Sequence, residues 1–154
     1  MTAFVPAVSV VCALLLGLSP LTARAGLGEN VAHIEQDRVV LRGTPVQVTR
    51  SGAYDRHELQ TAAGVQVREF ADRSGRIFAV TFNGPSKPDL KVLLGTHYTE
   101  YATATRPSVS THKVYTHASG TLALSIVKLP RGFTGSAFIP DAVPVGVDPR
   151  QLLQ

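Results

Sequence analysis

Hydrophobic residues are concentrated in one short stretch near the start of the chain, and polar residues and turns interrupt the rest. Val8–Leu18 is apolar apart from Ser9 and Gly17. A membrane-spanning helix needs roughly 20 apolar residues, so this stretch is too short to cross a bilayer. Its length is typical of a secretory signal peptide, and Ser19-Pro20 follows it as a helix break.

A pattern of small residues then marks a cleavage site. Ala23-Arg24-Ala25 is the small-x-small pattern of signal peptides and predicts cleavage between Ala25 and Gly26. Residues 1–25 are therefore predicted to be removed. Residues 26–154 are predicted to form one domain that is periplasmic or secreted and has no membrane span. No Lys or Arg precedes the apolar stretch, so an uncleaved membrane anchor or a misassigned start codon is the alternative.

Helix and strand periodicities follow one another in the predicted mature chain. Val31, Ile34 and Arg38 share a helical face and Gly43 follows them, which predicts a short helix over roughly Glu29–Val40. From there to Pro85, runs rich in Val, Thr, Tyr and Phe are separated by Gly-containing turns typical of hairpins. The predicted strands are Val46–Arg50, Tyr54–Thr61, Val65–Ala71 and Arg76–Asn83.

Charge and hydrophobicity predict the alignment of the first long hairpin. If Ala62–Gly64 forms its loop, apolar residues face apolar residues and opposite charges face each other, which a slip of one residue would undo. The cross-strand pairs are then Leu59 with Val67, Glu58 with Arg68, and His57 with Glu69.

The next hairpin is predicted to close through Asp72–Gly75, and its register decides the two faces of the sheet. Its predicted pairs are Val67 with Val80, Val65 with Phe82, and Glu69 with Phe78. The predicted core face consists of Leu59, Val65, Val67, Phe78, Val80 and Phe82. The other face is mixed, because it carries Arg56, Glu58, Gln66 and Arg68 together with Phe70 and Ile77.

A second helix and further strands are predicted after Pro85. Pro88-Asp89 is a favourable helix start, and the apolar spacing predicts a helix over Pro88–Tyr101 with a bend at Gly95. His112–His117, Thr121–Leu129 and Phe133–Ile139 are predicted strands, Thr121–Leu129 being the central one. A Pro-rich extended tail is predicted from about residue 140. The predicted fold is α+β: a single antiparallel sheet of about six strands with one or two helices packed on one face.

Several of these segments resemble one known family. They are Ala25-Gly26-Leu27-Gly28, the Val-Arg-Glu-Phe of residues 67–70, the strand from Gly75 to Gly84, Asn83-Gly84-Pro85, Pro88-Asp89-Leu90 with Leu93-Leu94-Gly95, and Ala137-Phe138-Ile139-Pro140. The chain from about Gly26 to Gln151 resembles an uncharacterised family of secreted bacterial proteins, domain of unknown function 2844. The resemblance implies export and one compact domain, and it implies no activity, ligand or catalytic residue.

Composition narrows the chemistry further. The formal net charge is +4, and basic and acidic residues alternate without a basic stripe, so nucleic-acid binding is not predicted. Cys12 is the single cysteine and lies in the apolar stretch, which predicts a mature chain without thiols or disulfides. The chain has no Gly-x-Ser-x-Gly motif, no phosphate-binding loop, and no spacing of its five histidines typical of zinc sites. No metal, cofactor or catalytic residue is therefore assigned.

One candidate pair follows from the predicted register. His57 faces Glu69, and Asp55 lies on the same face of the same strand. A carboxylate beside an imidazole raises the pKa of the histidine and orients its ring, as in many acid–base and ligand sites. The alternative is a structural cross-strand pair at the rim of the apolar face.

Three functions fit this sequence. The first is a non-catalytic accessory or interaction module of the cell envelope, for which the apolar corner at Phe70 and Ile77 would be a contact site for an envelope protein. The second is a binding domain for a small apolar or lipidic ligand held between sheet and helix, in a cavity lined by Phe78, Phe82, Leu94 and Tyr98. The third is a hydrolase that uses His57 with a carboxylate.

Overall fold

The computed structural model describes residues 26–104 and 114–153. The predicted signal peptide, Ala25 at its cleavage site, Cys12 and the first two residues of the predicted His112–His117 strand lie outside the described residues.

The described residues form one antiparallel sheet of seven strands, which confirms the predicted α+β class. The strand order is β1-β2-β3-β4-β7-β6-β5, so β4 is central. The strands are β1 (Gln47–Arg50), β2 (Asp55–Gln60), β3 (Gln66–Ala71), β4 (Ile77–Gly84), β5 (Val114–Ala118), β6 (Ala123–Leu129) and β7 (Gly132–Phe138).

The prediction that Thr121–Leu129 is the central strand is wrong. β4 holds that place, and its first six residues are all buried. β6 lies next to the edge strand β5, and only alternate residues such as Leu124 and Ile126 are buried. The continuous apolar run in β6 is therefore not a sign of burial on both faces.

The helices pack on one face of the sheet. The 3-10 turn Val31–His33 leads into α1 (Ile34–Val40), and the second predicted helix is divided into α2 (Leu90–Leu94) and α3 (Tyr98–Thr103). Gly95 lies at the division with a φ of 51°, as the predicted bend requires. Apolar side chains from these helices and from the facing side of the sheet form the main core: Ile34, Leu59, Val67, Ile77, Val80, Phe82, Leu90, Leu93, Leu94, Tyr101, Leu124, Ile126 and Ala137.

The predicted alignment of β3 with β4 is wrong by two residues. Val67 pairs with Phe82, and Glu69 pairs with Val80. One residue of the shift comes from the turn, which is tighter than predicted because the Asp72 carboxylate accepts hydrogen bonds from the amides of Ser74 (2.8 Å) and Arg76 (3.0 Å). The other residue comes from a β-bulge, where the register shifts between Phe70 and Ala71.

The bulge exchanges the faces of two adjacent residues. Ile77 pairs with Ala71 and lies in the main core under the helices. Phe78, predicted for that core, packs on the opposite face with Phe70 and Ala79. The predicted face assignments of Ile77 and Phe78 are therefore both wrong, and both side chains are fully buried.

The segment from Gly26 to Glu29 is inserted between α2 and β4. The amide of Leu27 donates to the Leu93 carbonyl (2.9 Å), and the amide of Gly28 donates to the Ile77 carbonyl (2.8 Å). The Leu27 side chain is fully buried. The chain start described here is therefore part of the core.

The residues after β7 return across the face of the sheet opposite to the helices. Short 3-10 turns at Pro140–Ala142 and Pro149–Leu153 interrupt this tail. Leu152 is buried against Phe70, Phe78 and Ala79. The tail thereby closes a second, smaller core.

Candidate functional site

Two acidic side chains are buried between α1 and the sheet. Asp37 is 4% exposed and lies on the inner side of α1 with Ile34, and Glu69 is 1% exposed in β3. Neither oxygen of Glu69 has a hydrogen-bond partner among the described residues, and neither does Oδ2 of Asp37. An ionised carboxylate is strongly disfavoured in such surroundings, so these groups tend to hold protons.

Burial raises the pKa values of both acids. Burial, and after it the negative charge of Asp37, raises the pKa of Glu69 to about 8. Burial raises the pKa of Asp37 to about 7. At neutral pH the pair therefore retains at least one proton, and Glu69 is the main holder.

The predicted candidate residues lie beside this acidic pair. The register of β2 with β3 is as predicted, with Leu59 opposite Val67, Glu58 opposite Arg68, and His57 opposite Glu69. However, no hydrogen bond joins the His57 ring to the Glu69 carboxyl, because both carboxyl oxygens are without a partner. The structure thus brings the two residues together without forming the expected imidazole–carboxylate bond.

The pKa of His57 moves opposite to the expected direction. Burial lowers it, and the nearby Asp55 carboxylate opposes this with a smaller effect. Asp55 is at the end of β2, opposite Arg50 of β1, and its Oδ1 lies 3.9 Å from Nη1 of Arg73. A protonated Glu69 gives no charge to stabilise an imidazolium, so His57 is neutral and the buried acid keeps the proton.

Sequence reasoning missed Asp37. The helical stripe through Val31, Ile34 and Arg38 continues to position 37, three residues after Ile34, and that spacing was the available signal. His33 lies one helical turn before Asp37, and its Nδ1 is also buried without a partner. A carboxyl group was not expected on an otherwise apolar inner face.

The chemistry open to this cluster is proton binding. With 1% exposure, the Glu69 side chain cannot touch a substrate in this conformation. Among residues 26–104 and 114–153, no group of three or more His, Cys, Asp or Glu could hold a metal ion.

The face of the sheet opposite to the helices is polar and partly open. Register partners form one polar ladder across all seven strands: Gln47, Glu58, Arg68, Thr81, Ser136, Ser125 and Thr116. The charged residues of the ladder and its neighbours surround Glu58. The Glu58 carboxylate accepts a hydrogen bond from the Gln66 amide, and its Oε2 lies 3.5 Å from Nε of Arg68 and 3.7 Å from Nε of Arg56. The ladder is therefore a mostly neutral surface with internally compensated charge.

A groove of about 600 Å³ lies at one end of this open face. Polar side chains from the first four strands and the segment before β1 line it, among them Thr44, Gln47, Glu58, Gln60, Gln66 and Asn83. The amide side chains offer both donors and acceptors. Such a lining suits a neutral polar partner better than an apolar ligand.

The apolar corner of this face is closed. Phe70 packs edge-on against Tyr54, with ring centroids 5.7 Å apart, and lies under the tail with Phe78 and Leu152. Ile77 is on the other face altogether. The predicted contact site at Phe70 and Ile77 is therefore wrong: the bulge removes one residue from the corner, and the tail covers the other.

A second polar cluster, not identified from the sequence, joins α3 to the β5–β6 turn. The Glu100 carboxylate accepts hydrogen bonds from Ser119 (2.5 Å) and Thr121 (2.7 Å) and lies 2.9 Å from Nε2 of His117. The hydrogen bonds from Ser119, His117 and Thr121 lower the pKa of Glu100 to about 2. The Ser119 hydroxyl also accepts from the amide of Leu122 (3.0 Å), so it is a turn residue.

The space between sheet and helix is filled. A cavity of about 10 Å³ lies among Phe82, Leu90, Leu94 and their neighbours, and Phe78 lines the opposite face. A cavity of this size holds one water molecule at most. Within the described residues, the space beside Phe82 and Leu94 is therefore too small for the ligand cavity expected from Phe78, Phe82, Leu94 and Tyr98.

Fold and site together define a small α+β protein with a closed core, a buried pair of acids and one open polar sheet face. No helix in the described part of the chain has the length and apolarity to span a membrane. The chain belongs to the family described as protein of unknown function (DUF2844), whose model matches residues 23–152. The predicted resemblance is thereby confirmed. No curated protein and no solved structure matches the chain.

Proposed function

We propose that this protein is an exported, non-catalytic accessory protein of the bacterial cell envelope, and that it contacts a partner protein through the open polar face of its sheet. The observation that carries the proposal is the polar ladder that crosses all seven strands, on which no α-helix of the described residues packs. The signal-peptide pattern of residues 1–25 supports the location.

The character of the open face supports a protein partner. Non-obligate protein interfaces are about as polar as the rest of a surface, with charged residues depleted at their centre. The centre of the ladder, Thr81 and Ser136, is neutral, and the Glu58 charge is compensated by Arg56 and Arg68. A partner would meet a surface whose polar groups are already oriented by strand pairing.

A site-specific crosslinking experiment in the native host tests the contact. A photoreactive residue is placed at Gln66 or Thr134 on the open face, with a control at Gln36, which is exposed on α1 on the opposite side of the sheet. We expect one discrete protein adduct from both open-face positions and none from position 36. Equal adducts from all three positions, or adducts with a second copy of this chain alone, would contradict the proposal.

Location is tested separately by fractionation and mass measurement of the accumulated protein. We expect the protein outside the cytoplasm, with the mass of residues 26–154. Full-length protein in the cytosol would contradict export without bearing on the open face, so the two parts of the proposal can fail independently.

A further inference from the structure

The acidic pair under α1 has an unusual position for groups that can carry charge. Asp37 projects from the helix and Glu69 from the sheet, so any repulsion between them acts directly between these two elements. Both are more than nine-tenths buried, and three of their four carboxyl oxygens have no hydrogen-bond partner among the described residues. The contact is favourable only while protons neutralise it.

No hydrogen-bond donor among the described residues reaches Oδ2 of Asp37 or either carboxyl oxygen of Glu69. Among the described residues, the titratable groups on the adjoining elements are His33, one helical turn before Asp37, and His57 and Asp55 on β2, while the residue opposite Glu69 on β4 is the apolar Val80. His57 is kept neutral by burial. The Arg38 guanidinium of α1 is engaged elsewhere, by Glu35 (2.6 Å) and the Gly43 carbonyl (3.1 Å).

The helix that carries Asp37 is short and lightly anchored. Of its seven residues only Ile34 and Asp37 are buried, and Val39 and Val40 are 61% and 63% exposed. Helices of this length are marginal in water unless tertiary packing stabilises them. Because Asp37 is one of only two buried residues of α1, charge repulsion at Asp37 acts at a main contact between α1 and the sheet.

We propose that Asp37 and Glu69 form a proton-operated latch: α1 lies closed on the sheet while the pair holds its protons, and it is released when both carboxyls ionise. Release exposes Ile34 of α1 and the apolar core residues that it packs with, such as Leu59 of β2. β7 and β6, which lie on the far side of β4 from Glu69, stay folded. The latch closes in acid and opens in mild alkali, since burial raises the pKa of both acids to about 7 and 8.

Hydrogen exchange of the amides that α1 protects measures the latch. The amide of Leu41 donates to the Asp37 carbonyl (2.8 Å), and the amide of Gly43 donates to the Arg38 carbonyl (2.7 Å). Exchange is followed by mass spectrometry at pH 6 and pH 9 on the protein as its host accumulates it, with correction for the intrinsic exchange rate. We expect protection of these amides to fall about tenfold or more between the two pH values, while protection in β6 and β7 is unchanged.

Three variants with carboxyl groups replaced by amides provide the decisive comparison. The double variant Asp37→Asn with Glu69→Gln removes both titrating groups, and its protection at α1 is expected to agree within about twofold between pH 6 and pH 9. The control Glu35→Gln removes an exposed carboxylate from the same helix and is expected to keep the wild-type pH response. Glu69→Gln alone is expected to reduce the response, and it serves if the double variant does not fold.

Three outcomes would overturn the latch. They are wild-type protection that does not change with pH, a double variant that responds like the wild type, and a loss of protection that spreads equally to β6 and β7. The last outcome would mean that the whole protein unfolds and that α1 is not released by itself.

Discussion

Position 26 has no room for a side chain, so glycine is required there. Its φ is +124°, and a Cβ at this position would lie 2.3 Å from the Val92 carbonyl oxygen. The contact places Leu27 in the core between α2 and β4. The small residues at the start of the predicted mature chain are therefore a packing requirement of the fold as well as part of a cleavage pattern.

Gly26→Ala is expected to destabilise the protein by about 2 kcal/mol, because the added Cβ would clash with the fixed carbonyl of Val92. The urea midpoint of the purified protein measures the change. Gly52→Ala is the matched control, since a Cβ there meets nothing within 4 Å, and a change within about 0.5 kcal/mol is expected. Equal effects of the two substitutions would show that Gly26 is not constrained.

At the level of elements, two long-range contacts fix the positions of α3 and of the C-terminal tail, which local sequence does not determine. Glu100 joins α3 to the β5–β6 turn through three side chains. Leu152 fixes the tail on the second core. In both cases the contact joins residues that are separated along the chain.

Glu100→Gln is expected to destabilise the protein by about 1–2 kcal/mol at neutral pH, since a neutral amide accepts weaker hydrogen bonds than a carboxylate and the site is partly exposed to solvent. Thermal unfolding at pH 7 measures the loss. Thr99→Ala, on the exposed side of α3, is the control and is expected to have little effect. A Glu100→Gln protein as stable as the wild type would show that the cluster adds nothing to docking.

Leu152→Ala is expected to destabilise the protein by about 2–3 kcal/mol and to increase binding of an apolar fluorescent dye, because it leaves a gap over Phe70 and Phe78. Urea unfolding and dye fluorescence report the two effects. Val145→Ala is the control on the same tail, since Val145 is fully exposed. If Leu152→Ala and Val145→Ala behave alike, the tail does not close the second core.

For the whole molecule, the titration of these acids sets the pH of greatest stability. Asp37 and Glu69 have folded pKa values of about 7 and 8, above the ordinary values of 3.8 and 4.5. The folded state therefore binds their protons more tightly, and stability falls as pH rises from about 4 to about 8. Glu100 has a folded pKa of about 2, below 4.5, so its contribution is present above pH 4.5 and is lost as pH falls towards 2.

The free energy of unfolding is thus expected to be greatest near pH 4.5, below the common range of about 5 to 8. Urea unfolding at intervals between pH 3 and pH 9 measures the profile. In the Asp37→Asn, Glu69→Gln protein, the decline of the free energy of unfolding above pH 5 is expected to disappear. In the Glu100→Gln protein, the decline of the free energy of unfolding below pH 4.5 is expected to disappear. A wild-type profile that rises from pH 5 to pH 8 would contradict the assigned titrations.

The sequence by itself determined the class of fold, the positions of most strands, the break at Gly95 and the register of β2 with β3. These features depend on local chemistry: side-chain periodicity, Gly at turns and opposite charges across a tight hairpin. It also placed His57 beside Glu69 and identified the family. Each of these signals lies within a few residues along the chain.

Only the tertiary structure decided on which face of the sheet Ile77 and Phe78 lie and that β4 is the central strand. It also decided that the C-terminal tail covers Phe70 and that Asp37 lies close to Glu69. A bulge of one residue reverses the alternation of a strand, and the periodicity of the sequence does not show where it falls. Contacts between segments far apart in the chain depend on strand order, which local patterns do not specify. The proton on Glu69 is the clearest example, because the pKa of Glu69 is raised by burial and by the charge of Asp37, a residue of a different element that is distant along the chain.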